Sequence, residues 1–143
     1  MGPCGGGGGP APSTTDPFAA STAVGEQIQA PLLPADIANN FAEGEYKATS
    51  LTQPLRAFRA FGGNAGMVSR WFGATAPDSA AAADALYNVT PYGNTCEFVQ
   101  EFEIPAGTTV YEGPVAGGSA YQYYVPNFGV AQPVGEPWLL PRP

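Results

Sequence analysis

The chain contains no histidine, and it has only 5 lysines and arginines against 12 aspartates and glutamates. Histidine is the commonest general base at neutral pH and the usual ligand of catalytic zinc. Its absence therefore excludes the catalytic triads built on it and most catalytic zinc sites. The net charge of -7 offers no basic footprint for nucleic acid or an anionic membrane, so we expect neither as a partner. The charge is compatible with a basic protein partner.

Cysteines and long apolar runs are also scarce. Cys4 and Cys96 are too few for a disulfide framework and lack metal-ligand spacing, so we expect no metal site. A buried free Cys96 and a solvated Cys4 are expected, with a bridge between them as the alternative. No segment is apolar for long enough to cross a membrane, and the first residues do not resemble a signal peptide. Export of such a chain requires a delivery system.

The first residues, MGPCGGGGGPAPSTTDPF, are rich in glycine and proline. Such a segment buries too little apolar surface to offset the entropy that is lost on ordering, and it is typical of a flexible linker. We therefore predict a disordered linker over residues 1–33 and a single folded domain over residues 34–143.

The patterns after this linker predict short helices and several strands. PADIANNFAEGEY predicts a short amphipathic helix that ends at Gly44, and APDSAAAADALYNV predicts a helix with Asp78 or Ser79 as its N-cap. Strands are predicted over four segments: LRAFRAF, CEFVQEFEI, TTVYEG and YQYYV. The PAGT turn predicts that CEFVQEFEI and TTVYEG form a hairpin. Because strands and helices do not alternate, the order predicts an α+β fold with a small, mainly antiparallel sheet and a few short helices.

The longest predicted strand has two different faces. Phe98, Gln100, Phe102 and Ile104 lie on one face, and Glu97, Val99, Glu101 and Glu103 lie on the other. The alternation predicts that the aromatic face points inward and that the glutamates face solvent.

The segment PLRAFRAFGGNAG places Arg56 and Arg59 in a strand that is otherwise apolar. Because the charge of arginine is permanent, each side chain must be solvated, pair with a carboxylate on a neighbouring strand, or bind an anion. Gly62 and Gly63 end the strand, which indicates a turn, and glycines also let a backbone approach a phosphate closely.

The order of several motifs resembles that of C-terminal toxin domains of bacterial polymorphic toxins. Arg59-Ala60-Phe61-Gly62-Gly63 resembles the family's Arg-x-Tyr-Gly-Gly signature, and IPAGTTVYEG and GGSAYQYY resemble two later motifs, the second leading to Gln122. The resemblance covers about residues 35 to 140. These toxins are similar in turn to the tuberculosis necrotizing toxin and to ADP-ribosyltransferase-like folds, whose known members act on NAD.

The resemblance implies that this domain consumes NAD by cleaving its nicotinamide–ribose bond. That reaction passes through an oxocarbenium-like transition state, so an enzyme can work by clamping the dinucleotide, with water as acceptor. The resemblance implies that Arg59, with Arg70 second, binds the pyrophosphate. Gly62, Gly63 and Trp71 complete the set of candidate NAD-binding residues.

The resemblance also supplies candidate catalytic residues. Gln122 matches the family's glutamine and is expected to hold the ribose hydroxyls or orient water. Glu101 and Glu103 are candidates to stabilise the developing cation or to act as the base, although a solvated strand face is the simpler interpretation. Their neighbours Glu97 and Glu112 add to an acidic edge that a basic partner would face.

A toxin that destroys NAD implies a cognate immunity protein, and the resemblance implies a monomer that is secreted or delivered into a target cell as toxin cargo. The chain departs from the family pattern at SRWFGATAP, where the arginine that usually follows Trp71 is missing and Arg70 precedes it. Three alternatives therefore stay open: NAD glycohydrolase, ADP-ribosyltransferase, and a non-catalytic secreted or interaction module that keeps the fold.

Overall fold

The computed structural model describes residue 18, residues 20–87 and residues 94–141. The strands in these ranges are β1 (Gly25–Ile28), β2 (Lys47–Leu51), β3 (Leu55–Gly63), β4 (Trp71–Gly73), β5 (Asn94–Ile104), β6 (Thr109–Pro114), β7 (Tyr121–Tyr124) and β8 (Gln132–Leu139). The helices are α1 (Ala35–Ala38) and α2 (Ala80–Tyr87), and a 3₁₀ turn covers Ala42–Gly44.

The strands form one sheet of eight strands in the order β1-β2-β6-β7-β4-β3-β5-β8. Each neighbouring pair is antiparallel. This confirms the prediction of a small antiparallel sheet accompanied by a few short helices. The predicted strands correspond to β3, β5, β6 and β7, whereas the sequence patterns do not predict β1, β2, β4 and β8.

Two short connections cross between distant strands of this sheet. Residues 52–54 join β2 to β3, and residues 105–108 join β5 to β6, with three strands lying between the two members of each pair. In a flat sheet the members would be about 19 Å apart, because neighbouring strands are about 4.8 Å apart. The chain from Leu51 to Leu55 reaches at most about 14 Å. The sheet must therefore curl strongly, and we call these two connections the arches.

The predicted hairpin between β5 and β6 is wrong, although its turn is present. The Thr108 amide donates to the Pro105 carbonyl at 3.3 Å, as a turn requires. However, β5 pairs with β3 and β8, and β6 pairs with β2 and β7, so neither strand has an edge free for the other. Backbone hydrogen bonds instead join the base of the first arch to the second arch. Leu51, which precedes the first arch, donates to the Thr108 carbonyl at 3.0 Å and accepts from the Gly107 amide at 2.7 Å.

The inner face of the curled sheet holds the main core. Buried apolar side chains from β2 to β7 meet there, among them Leu51, Leu55, Phe72, Phe102, Ile104, Val110 and Tyr123. Phe102 and Ile104 confirm the predicted inward face of β5, while Phe98 is only half-buried and Glu101 and Glu103 are partly exposed. Val99 is also fully buried, because it lies under α2 on the outer face beside Ala60 and Ala83.

Two covering segments bury most of the outer face. Helix α2 packs over β3 and β5, and the Ser79 hydroxyl accepts a hydrogen bond from the Ala82 amide at 3.0 Å, so Ser79 is its N-cap. Residues 28–46 cover β4, β6 and β7 through a second apolar cluster that includes Phe41, Trp71 and Tyr111. The predicted helix in this segment is split into α1 and the 3₁₀ turn, because the backbone of Phe41 between them is extended, with φ -93° and ψ 142°.

The sheet begins upstream of the boundary predicted at residue 34. Strand β1 lies within the predicted linker, yet all of its residues pair with β2. Residues 1–17 lie outside the described residues. Cys96 is buried as expected but is disulfide-bonded, so the prediction of a free thiol is wrong. Cys4 lies outside the described ranges.

The arch turn gives a direct test of this topology. Gly107 has a φ of +88°, and no heavy atom lies within 4 Å of a Cβ added there. We expect Gly107→Ala to lower the free energy of unfolding by about 1 to 2 kcal/mol through backbone strain alone. Gly66 is equally open and has no positive φ, so Gly66→Ala should be neutral or slightly stabilising. Urea unfolding measures both, and equal effects would contradict the strained turn.

Candidate functional site

Arg56 lies on the outer face of the sheet and pairs with the two candidate glutamates of β5. Its Nη1 is 3.1 Å from Glu101 Oε2, and its Nε is 3.2 Å from Glu103 Oε1. The hydrogen bonds that Arg56 donates to Glu101 and Glu103 raise the pKa of this guanidinium further. Both candidate catalytic carboxylates therefore take part in exposed ion pairs.

Arg59 is almost fully buried, with 2% of its surface exposed. Its Nε donates to the Gly66 carbonyl at 2.8 Å, and its Nη1 lies 3.5 Å from the Trp71 carbonyl. Burial lowers the pKa of Arg59 to about 10, so the side chain is still a cation at neutral pH. Arg59 thus anchors the loop that leads into β4.

Arg59 and Gln122 lie on opposite faces of the sheet. Phe58 pairs with Gly73, and Gly73 pairs with Gln122, so these three residues share the outer face. Arg59 follows Phe58 in the strand and points to the inner face. The structure therefore does not bring Arg59 and Gln122 into one pocket, although a shared NAD site requires this.

Gln122 is buried beneath the segment that covers the outer face. Only 1% of its surface is exposed, and its Nε2 donates to the Asn40 carbonyl at 2.7 Å. The Ala116 amide donates to the same carbonyl at 3.0 Å. In this structure Gln122 therefore links β7 to the covering segment.

Gly62 and Gly63 form a tight turn. Their φ angles are 147° and 59°, and Gly62 exchanges two backbone hydrogen bonds with Ala65. A Cβ on Gly62 would lie 2.5 Å from Thr95 Oγ1. These contacts account for both glycines as turn residues.

Two predicted residues, Arg70 and Trp71, line one surface pocket. The pocket has a volume of about 290 Å³ and is also lined by Ile37, Val68, Ser69, Tyr124 and Phe128. The guanidinium carbon of Arg70 is 4.8 Å from the centre of the Phe128 ring, and its Nε donates to the Pro126 carbonyl at 3.2 Å. The ring centres of Trp71 and Tyr124 are 4.7 Å apart. We call this the Arg70 pocket.

The Arg70 pocket combines one cation with exposed apolar surface. Val68 and Phe128 are each 53% exposed, which is high for large apolar side chains. The sequence patterns do not single out Phe128, because an aromatic residue in a loop shows no periodicity. A pocket of this composition can hold a planar ring and an anionic group.

One carboxylate assigned to the acidic edge lies elsewhere. Glu112 is 1% exposed and points to the inner face, so it cannot present its charge to a partner. Part of the expected acidic edge is therefore internal to the fold.

Comparisons with family models, with curated proteins and with solved structures give no match for this chain. Among residues 18, 20–87 and 94–141, His, Cys, Asp and Glu side chains form no group of three that could hold a metal ion. None of the helices in the same ranges has the length and apolarity needed to span a membrane.

The contacts of the two strand arginines give opposite expectations for their removal. Arg59→Ala should lower the free energy of unfolding by about 2 to 4 kcal/mol, because it leaves buried carbonyls without donors and opens a cavity. Arg56→Ala should barely change the unfolding midpoint, because exposed ion pairs contribute little. Denaturant unfolding of both variants measures this difference. Equal stability of the two variants would contradict an anchoring role for Arg59.

Proposed function

We propose that this chain is an NAD-consuming toxin domain of the ADP-ribosyltransferase-like type, which binds NAD in the Arg70 pocket and cleaves the nicotinamide–ribose bond. The Arg70 pocket carries the proposal, because it places a guanidinium beside Trp71, Tyr124 and Phe128. NAD consists of planar rings joined by a pyrophosphate. Aromatic side chains pack against such rings, and arginine binds phosphate oxygens bidentately.

The size of the pocket suggests how NAD would lie in it. Its volume of about 290 Å³ is at the lower end for a ligand site. This volume fits one nucleotide half, and the other half would extend over the neighbouring surface. A phosphate at Arg70 would displace the exposed contact with the Pro126 carbonyl.

Arg59 has a supporting role in this proposal. Its bonds to the carbonyls of Gly66 and Trp71 hold the two ends of the loop that carries Arg70. It is therefore a positioning residue that orders the phosphate-binding loop from the opposite side of the sheet. Among the described residues that line the pocket there is no carboxylate, so bond cleavage would rely on clamping the dinucleotide and on water as acceptor.

Gln122 lies on the same face as Trp71 and Tyr124, two residues before Tyr124 in β7. Its role at the ribose remains a prediction, and it requires the hydrogen bond to Asn40 to be exchanged for one to the ligand. The roles of Glu101 and Glu103 also remain predictions, because both require release from Arg56. ADP-ribose transfer would use the same pocket with a different acceptor.

A non-catalytic interaction module is the second candidate function. One observation favours it: Glu101, Glu103 and Gln122 each bond to another part of this chain, and none of them lines the Arg70 pocket. In that case the pocket would bind a ligand or a partner without turnover. If the domain is an active toxin, the proposal includes delivery as toxin cargo and a cognate immunity protein that protects the producing cell.

Nicotinamide release from NAD tests the enzymatic proposal. Losing one charge-assisted hydrogen bond costs about 1.5 to 3 kcal/mol, so Arg70→Ala should lower the rate by about one to two decades. Arg56→Lys is the matched control, because it changes another exposed arginine whose contacts lie outside the pocket, while a cation stays beside Glu101 and Glu103. It should keep the wild-type rate.

The same proteins should be titrated with NAD while Trp fluorescence is recorded. Binding without nicotinamide release, lost in Arg70→Ala, would favour the interaction module. Absence of both release and binding would contradict NAD as the ligand. Release that is unaffected by Arg70→Ala would remove the Arg70 pocket from the mechanism.

A further inference from the structure

Glu112 is a buried carboxylate whose partners are all hydroxyl groups. It accepts hydrogen bonds from Ser21, Thr49 and Tyr121, the last at 2.9 Å. No ion pair to Glu112 is formed within the described part of the chain. A buried carboxylate without a cation is costly unless its lone pairs are filled, so each of these donors matters.

Some of the polar groups that fill this site come from a short segment before β1. Residues 21–24, which we call the strap, lie across the inner face. Ser21 donates to Glu112, and the Thr22 hydroxyl lies 2.6 Å from the Tyr123 hydroxyl. The Thr22 amide also donates to the Tyr123 hydroxyl at 3.1 Å. Two consecutive side-chain hydroxyls of the strap thus meet a carboxylate and a phenol.

The walls of this recess belong to the sheet. Glu112 is directly opposite Tyr123 in the β6–β7 pairing, and Thr49 lies on the adjacent strand β2. Burial, and next the charge of Glu112, raises the pKa of Tyr121, so its hydroxyl remains a donor. Tyr121 thus holds Glu112 by its own hydrogen bond, and the Glu112 carboxylate and the Tyr123 hydroxyl are the groups that meet the strap.

The strap also has contacts outside the recess. Thr22 and Val24 are exposed, but the Val24 carbonyl accepts from the Thr52 amide at 3.0 Å and from the Thr52 hydroxyl at 3.3 Å. Ala23 packs against the inner core. A ligand that supplied equivalent hydroxyls would therefore have to displace these contacts together with the bonds of Ser21 and Thr22.

We propose that the recess formed by Thr49, Glu112, Tyr121 and Tyr123 is a binding site for a vicinal diol, such as the ribose of a nucleoside, and that the strap closes it. One hydroxyl of a ribose can donate to the carboxylate, as Ser21 does here, and the adjacent hydroxyl can form a hydrogen bond with the Tyr123 hydroxyl, as Thr22 does. The site does not depend on the proposed function, because the recess faces inward and the Arg70 pocket faces outward.

The strap competes with such a ligand because it belongs to the same chain. The apparent dissociation constant equals the intrinsic value divided by the fraction of molecules with an open recess. Removing the strap hydroxyls should therefore tighten binding without changing the walls. We expect the double variant Ser21→Ala/Thr22→Ala to bind at least about tenfold more tightly than the wild type.

Adenosine and 2′,3′-dideoxyadenosine form a suitable pair of probes, because they differ only in the diol. Each is titrated into the isotopically labelled full chain, and amide shifts at Thr49, Glu112 and Tyr121 report the place of binding. The double variant should bind adenosine and ignore the dideoxy compound. Ser50→Ala is the matched control, because Ser50 follows Thr49 and points to the other face. It should bind as the wild type does.

Three outcomes would overturn the proposal: a folded double variant that binds no adenosine, equal affinity for both nucleosides, or equal affinity of wild type and double variant. If the double variant does not fold, Thr22→Ala alone carries the test with a smaller gain, because Thr22 is exposed. Loss of NAD binding in Arg70→Ala together with unchanged adenosine binding would separate this site from the Arg70 pocket.

Discussion

The contact between the two arches holds the curled sheet together. Leu51 bonds through its amide and its carbonyl to the turn at Gly107 and Thr108, and it also packs into the inner core. These bonds join the end of β2 to the turn that connects β5 and β6. Both arches would be too short to connect their strands in a flat sheet. The sheet must therefore be curved for the arches to meet, and their contact in turn holds the sheet in its curved form.

Curvature divides the polar residues of the domain between two environments. The inner face encloses Arg59 and Glu112, whose bonds are to backbone carbonyls and to hydroxyls respectively. The outer face is covered in part by α2 and by residues 28–46, and the Arg70 pocket lies where Ile37 of this cover meets the loops around β4 and β7. The sheet thus lies between the Glu112 cluster on its inner face and the Arg70 pocket on its outer face.

The sequence predicts the local features of this fold well. The alternation in β5 correctly places Phe102 and Ile104 inside, because one face of a strand must be apolar to bury it. The N-cap at Ser79 is likewise readable, because capping depends on neighbouring residues. A turn motif cannot predict that β5 pairs with β3 and β8. The turn shows only that the chain changes direction, whereas the pairing depends on strands that are distant in sequence.

The candidate site shows the same division. The sequence does not show which acceptor a strand arginine will bind. Arg56 binds carboxylates and Arg59 binds backbone carbonyls, although both lie in the same strand. Only the fold reveals that Arg70 and Trp71 share a pocket with Phe128. The sequence groups Glu112 with the exposed glutamates, but its partners Thr49 and Tyr121 lie on two other strands.

The arches also determine how quickly this domain can fold. Their joining contact links residues 51 and 108, so a long stretch of chain must be ordered before the core can close. Antiparallel folds dominated by such distant pairings reach the native state in about milliseconds to seconds, far more slowly than helical bundles. During that interval the apolar inner faces of β3 and β5 are open to solvent. The unfolded chain therefore has its greatest tendency to aggregate before this contact forms.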